Sequence, residues 1–222
     1  MATPLRILVS AAILLWIPSI RTVNAAEPLR ISGETMGTYY AIVVDSPALT
    51  DDGEALRAAI TQRLAEINRQ MSTWDAESEI SRFNASRGTD WFPVSAELVA
   101  VVQEAGRIHA LSNGAFDPTV SPLIDLWGFG DRREKSIPTD EQIRTALGHT
   151  GMTRVETRPD PPAIRKQHPA IQLNLSAIAK GYGVDAIAEL IIAEGQPSFV
   201  VDIGGETRAG EAKSAQGLAD RH

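Results

Sequence analysis

One continuous stretch, Ala170 to Ile203, limits what this chain can fold into. An apolar, strand-like run from Ala170 to Leu175 passes straight into an amphipathic helical run that stops at Gly195. Ser198 to Ile203 then reads as another strand. Strand and helix alternate loosely elsewhere too, which points to an α+β fold, a mixed sheet flanked by helices, rather than a bundle or a sandwich. The join itself is Leu173-Asn174-Leu175-Ser176-Ala177-Ile178-Ala179-Lys180-Gly181-Tyr182-Gly183-Val184-Asp185. A helix start carries unpaired N–H groups and a positive dipole end, so it can hold a phosphate. Lys180 falls in the first turns, and Gly181 and Gly183 let a bulky ligand press on the backbone. Taken alone, the same segment reads equally as an ordinary join with a solvated lysine.

The rest of the chain supplies the remaining layers. Leu29 to Asp45 is extended, with Tyr39 to Val44 rich in aromatic and β-branched residues, and Glu34 to Thr38 forms a glycine-containing turn within it. Leu56, Ile60, Leu64, Ile67 and Met71 make one apolar helical stripe, which places Met71 in the core. Ser78 to Asn84 offers a further helical turn, and Trp91 to Val94 a short strand. Ser95 caps a helix through His109 whose inward residues are Leu98, Val101, Val102, Ala105 and Ile108. Thr139 and Gln142 suit a capping box for a helix ending at Gly148, and Pro159-Asp160-Pro161-Pro162 reads as a surface loop. No repeat or linker divides the chain, and 222 residues at 43% hydrophobic content suit one domain, placed at 29–209. Residues 210–222 are small and polar and read as a disordered tail.

The N-terminus reads as a targeting segment. Arg6 precedes an apolar run, Ile7 to Ile20, broken by Pro18, and Val23-Asn24-Ala25 offers a small-residue cleavage site. A signal peptide over 1–25 and a soluble, exported, periplasmic protein are therefore expected, with an uncleaved N-terminal tether as the alternative. The run is too short and broken for a stable membrane span. The formal charge of −7 and the lack of a basic run argue against nucleic acid. With no cysteine, disulfides, thiolate metal sites and cysteine nucleophiles are excluded. His109, His149, His168 and His222 lack ligand spacing, so a histidine-built zinc site is not expected.

Dinucleotide-binding, Walker-type, esterase-elbow and zinc-protease motifs are all missing from the sequence. What remains is a series of short loops. Asp117, held extended by Pro118, sits after Ala115-Phe116, where main chain and ring offer a surface to a flat ligand; alone, it reads as a surface turn. Asp202 ends an apolar strand before Gly204-Gly205, as a ligand-site carboxylate or as a simple strand-ending turn. Trp74 is either a stacking ring or a hydrophobic anchor.

The order of these loops is more telling than any one of them. Glu34-Thr35-Met36-Gly37-Thr38, Met71-Ser72-Thr73-Trp74 with Ser78 to Asn84, and Gly114-Ala115-Phe116-Asp117-Pro118-Thr119 come first. Leu126-Trp127-Gly128-Phe129-Gly130, the Leu173–Asp185 join and Val201-Asp202-Ile203-Gly204-Gly205-Glu206 follow. Over roughly Ile31 to Ala209 this series resembles the ApbE family, the FAD:protein FMN transferases. The resemblance implies binding of FAD and magnesium outside the cytoplasm. It further implies cleavage of the pyrophosphate and attachment of FMN to a threonine or serine of a partner flavoprotein, a subunit of a membrane redox complex.

Carried over residue by residue, the resemblance implies that Met36 meets the flavin end of FAD and that Trp74 stacks on it. Ala115, Phe116 and Asp117 would grip the nucleotide. Asn174, where the family often has aspartate, and Lys180 would contact FAD, and Ala177 would offer magnesium a backbone carbonyl. Lys180 and Asp202 are the candidate catalytic residues. Such chemistry needs charge neutralisation and positioning more than covalent help. The family pattern continues beyond Glu206 with further strands and with acidic and hydroxyl metal ligands, which nothing before His222 resembles. The expectation is thus an incomplete C-terminal part, an unpaired edge on the Phe199–Ile203 strand, and weak or absent activity. An FAD-binding remnant and an exported FAD pyrophosphatase are the alternatives, with a structural or adhesive exported module more remote.

Overall fold

The computed structural model describes residues 27–45, 53–129 and 137–211. In chain order the elements are β1 (Leu29–Thr35), β2 (Thr38–Val44), α1 (Glu54–Met71), α2 (Glu79–Ala85), β3 (Phe92–Pro93), α3 (Ala96–Leu111) and α4 (Ser121–Leu126). They continue with α5 (Asp140–Gly148), β4 (Val155–Pro159), β5 (Pro162–Lys166), α6 (Ala179–Ala193), β6 (Phe199–Ile203) and β7 (Glu206–Ala209).

Local chemistry accounts for most of these boundaries. β1 and β2 are joined by Met36 and Gly37 alone, both at positive φ (50° and 70°), the turn whose twist matches paired strands. The residues α1 buries are Leu56, Ile60, Leu64, Ile67 and Met71, the whole of the stripe read from the sequence. Ser95 caps α3 by accepting from Leu98 N–H, and Thr139 and Gln142 close a reciprocal capping box on α5. Within α3, Ile108 is half-buried rather than buried, and Val99 takes its place among the core residues.

The α+β class holds, but the strands form two antiparallel sheets instead of one mixed sheet. Their orders are β1-β2-β6-β7 and β3-β5-β4. The first sheet lays Ile31, Ile42, Val44, Val201 and Ile203 against Leu56, Ile60 and Leu64 of α1 and Val184, Ile187 and Ile191 of α6. A second core gathers Ile67, Met71, Phe83, Leu98, Val102, Ile164, Leu173 and Leu175. Met36 packs against both cores, so the β1–β2 turn lies where they meet.

Two further sequence expectations are corrected. In the run Ala170–Leu175, Ala170 falls in a turn and residues 171–175 pair with no strand among the described residues. Its residues Ile171, Leu173 and Leu175 are fully buried, and side chains from elsewhere satisfy much of its backbone. The Phe199–Ile203 strand has no unpaired edge, because β6 runs between β2 and β7, the latter reached through Gly204-Gly205. The proline cluster at 159–162 lies at the surface as its composition implies, where it forms the exposed turn of the β4–β5 hairpin. The expected export segment and nearly all of the expected tail lie outside the described residues. Among the described residues no helix is long and apolar enough to cross a membrane.

Candidate functional site

Two tight turns lie side by side at one end of the four-stranded sheet. Gly204 N–H donates to the Tyr39 carbonyl at 3.0 Å, bringing the β6–β7 turn against the start of β2. Gly204 is at φ 56°, and a Cβ there would stand 2.7 Å from Thr38 Cγ2, so this approach requires glycine. The first turn of α6 arrives at the same corner, where Lys180 Nζ donates to the Gly204 carbonyl at 3.4 Å and lies 3.9 Å from Glu206 Oε1. From the other side, Asn68 of α1 donates to the buried Thr35 hydroxyl at 3.0 Å, tying the end of β1 to that helix.

These elements enclose a cavity of about 120 Å³ lined by Met36, Met71, Thr73, Trp74, Ser176 and Lys180, among others. Thr73 and Trp74 also border a second cleft of about 430 Å³, whose wall includes Ser81, Asn84, Asp125, Phe129, Gln172 and Asn174. Trp74 is 78% exposed and Phe129 80%, so two aromatic rings stand open to solvent at this cleft. An exposed ring is free to stack on a ligand, which a buried anchor is not.

The expected site residues separate into groups. Met36, Trp74 and Lys180 share the smaller cavity, and Trp74 and Asn174 share the larger. Asn174 donates its N–H to the Pro118 carbonyl at 2.7 Å and accepts from Ser176 N–H at 3.0 Å. Ala177 lies on a third cavity of about 350 Å³ between α3 and α6, together with Glu104, Asp185 and Glu206. Ala115 is exposed, whereas Asp117 turns inward, accepting from Thr119 N–H at 2.8 Å and lying 3.7 Å from His109 Nδ1. Asp202 is spent across the β6–β7 hairpin, accepting from the Thr207 hydroxyl at 2.7 Å and from Gly205 N–H at 3.4 Å.

A polar network fixes the helices behind the cleft. Arg63 of α1 forks onto Glu97 of α3 at 2.6 and 3.2 Å and reaches the Tyr182 hydroxyl of α6 at 3.2 Å. The guanidinium holds the Glu97 carboxyl below its usual range, while burial and Glu97 push the Tyr182 phenol up. Lys166 is 1% exposed and donates to the carbonyls of Phe83, Asn84 and Ile171 at 3.1–3.2 Å. Desolvation lowers its pKa to about 8.

No local sequence signal points to Lys166 or to the supporting contacts of Asn68 and Asn84. Asn84 lay inside a quoted motif, but nothing local points to its partner 89 residues away.

The fold and site together define an α+β domain with an aromatic- and lysine-bearing cleft at a sheet end. The ApbE family model matches residues 36–218, and the chain belongs to the ApbE family. It is 40% identical over 185 residues to the FAD:protein FMN transferase of Vibrio cholerae, a match covering 82% of this chain and 54% of that protein. It is 35% identical over 194 residues to the Haemophilus influenzae protein of the same name, covering 85% and 56%. Among solved structures, the flavin transferase ApbE from Vibrio cholerae superposes with a TM-score of 0.79 at 39% identity, covering 84% of this chain and 60% of that one. The Pseudomonas stutzeri flavinyl transferase ApbE, in its apo form, gives 0.78 at 31%, covering 84% and 62%. The chain thus spans about half the length of the curated relatives it matches.

Proposed function

We propose that this protein binds FAD along the Trp74 cleft and transfers FMN to a threonine or serine hydroxyl of a partner flavoprotein. The observation that carries this reading is the convergence of Met36, Trp74 and Lys180 on one cavity, in a chain 40% identical to a protein named for that activity. Trp74 stacks on the flavin, and Met36 closes the pocket beneath it. Asn174 and the exposed main chain at Ala115 meet the rest of the nucleotide, with Phe116 and Asp117 shaping that loop. Lys180 binds the pyrophosphate and offsets the charge that builds on its oxygens during transfer. The acceptor hydroxyl oxygen bonds to the FMN phosphorus, AMP departs, and the hydroxyl proton passes to solvent or a base on the partner. We assign Asp202 a positioning role, since it holds the hairpin whose Gly204 carbonyl receives Lys180.

Magnesium belongs to the same reading. Among the described residues no group of three or more histidine and carboxylate side chains could hold a metal. Magnesium, however, is commonly held by few protein oxygens together with substrate phosphates. Ala177 lines a cavity bordered by Glu104, Asp185 and Glu206, and its carbonyl would supply one such oxygen. When bound, the ion supplies further neutralisation of the pyrophosphate. The acceptor is proposed to be a subunit of a membrane redox complex, met in the periplasm after export.

Incubation with FAD, magnesium and an acceptor domain bearing the target threonine tests this. Covalent flavin fluorescence on the acceptor is the expected result. Free FMN and AMP would instead mark a pyrophosphatase, and saturable binding of unchanged FAD a binding protein. Absence of any FAD binding would overturn the reading.

A further inference from the structure

We propose that Asn84 is a positioning residue for this site, holding in register the segment that delivers Asn174, Ala177 and Lys180. The inference rests on the proposed function for its readout in FAD binding, but its structural basis stands independently. Asn84 Nδ2 donates to the Leu173 carbonyl at 2.8 Å, and Asn84 Oδ1 accepts from Leu173 N–H at 2.8 Å. This is the two-way exchange that a neighbouring strand would make with a paired residue. Residues 171–175 have no such strand among the described residues, so one amide side chain stands in for it.

Register matters here because the segment alternates. Ile171, Leu173 and Leu175 are fully buried, while Gln172 and Asn174 between them are half-buried at the larger cleft. A slip of one residue would exchange the two sets. Other bonds help, from Lys166 to the Ile171 carbonyl, from Asn174 N–H to the Pro118 carbonyl, and at the two ends from Ile171 N–H to His168 and from Ile178 and Ala179 N–H to Leu175, but none holds both backbone groups of one residue. Asn84 also couples both walls of the cleft. It stands on α2, whose capping residue Ser78 donates its hydroxyl to the Ser72 carbonyl two residues before Trp74. The ring that stacks and the segment that carries Asn174 and Lys180 are thereby referred to the same short helix.

The test uses the whole protein in two variants. Asn84→Leu keeps the shape and removes both bonds, whereas Asn84→Asp keeps the acceptor and, when ionised, lacks the donor. Amide exchange at residues 172–178 is expected to accelerate at least about tenfold in Asn84→Leu. The amides of β2 and β6 should remain as protected as in the wild type. FAD affinity, read by quenching of flavin fluorescence, should fall at least about tenfold. Asn84→Asp, ionised at neutral pH, should show the same direction of change in both readouts, because the Leu173 carbonyl loses its donor and faces a carboxylate. Unchanged exchange at 172–178, or FAD affinity within about twofold of wild type in both variants, would overturn the proposal. If Asn84→Leu does not fold, Asn84→Asp alone decides it through the same exchange and affinity readouts. If the wild type takes up no FAD, the functional reading falls, and the exchange data decide the role of Asn84.

Discussion

Met36 lies directly over Gly183: a Cβ at residue 183 would stand 2.8 Å from the Met36 terminal methyl. The β1–β2 turn and α6 therefore touch through a thioether against bare backbone, at the edge of the proposed flavin pocket. Gly183→Ala separates packing from binding. The clashing atom is the end of a flexible side chain and alanine favours the helix, so the melting temperature should stay within a few degrees of wild type. Met36 must move, and FAD affinity is expected to drop roughly tenfold. Equal affinities, measured by titration, would remove Met36 from the pocket.

Lys180 contributes little to the fold, since its hydrogen bond to the Gly204 carbonyl is long and its partner Glu206 is exposed. Lys180→Met should leave stability within about 1 kcal/mol of wild type. It should lower the transfer rate by about two orders of magnitude, the usual cost of losing a positioned cation at a developing charge. A variant that unfolds, or one that turns over normally, would contradict this assignment.

Trp74, at 78% exposure, likewise gives the core almost nothing. Trp74→Ala is expected to weaken FAD about tenfold through lost stacking and ring contact, with denaturation unchanged. Trp74→Tyr should retain most of the affinity, because the stacking face persists. Flavin fluorescence polarisation across the three proteins checks the order.

The parts of this fold that were legible in the sequence are those whose causes are local. The stripe on α1, the Ser95 cap and the Thr139–Gln142 box each involve neighbours within a turn or a few turns, and the structure reproduces them. The extended run 171–175 was misread as a strand because burial alone produces the same alternation that sheet pairing does. Its actual partners, Asn84 and Lys166, are a polar side chain and a charged one, types that pattern reading assigns to the surface. β7 escaped notice because Glu206, Thr207 and Ala209 are all exposed and carry no apolar signal. Met36, Trp74, Asn174 and Lys180 are proposed as site residues chiefly on the serial order of their motifs, and the structure distributes them over neighbouring cavities. Their separation over neighbouring cavities depends on turns that no spacing rule encodes.

Lys166 gives the fold a pH dependence of defined sign. Its folded pKa of about 8 lies below the usual lysine value of 10.5, so between those values the unfolded chain holds a proton that the folded chain has released. Stability attributable to this residue must then rise with pH across that window, and it is lost as pH falls through about 8. Lys166→Met should be less stable than wild type at every pH, on the order of 2 kcal/mol at neutrality, because three buried carbonyls lose their donor. The difference between the two proteins should widen from pH 8 to pH 10. Urea denaturation of both at several pH values measures it, and a gap that narrows with rising pH would show that the ammonium is not desolvated as its burial implies.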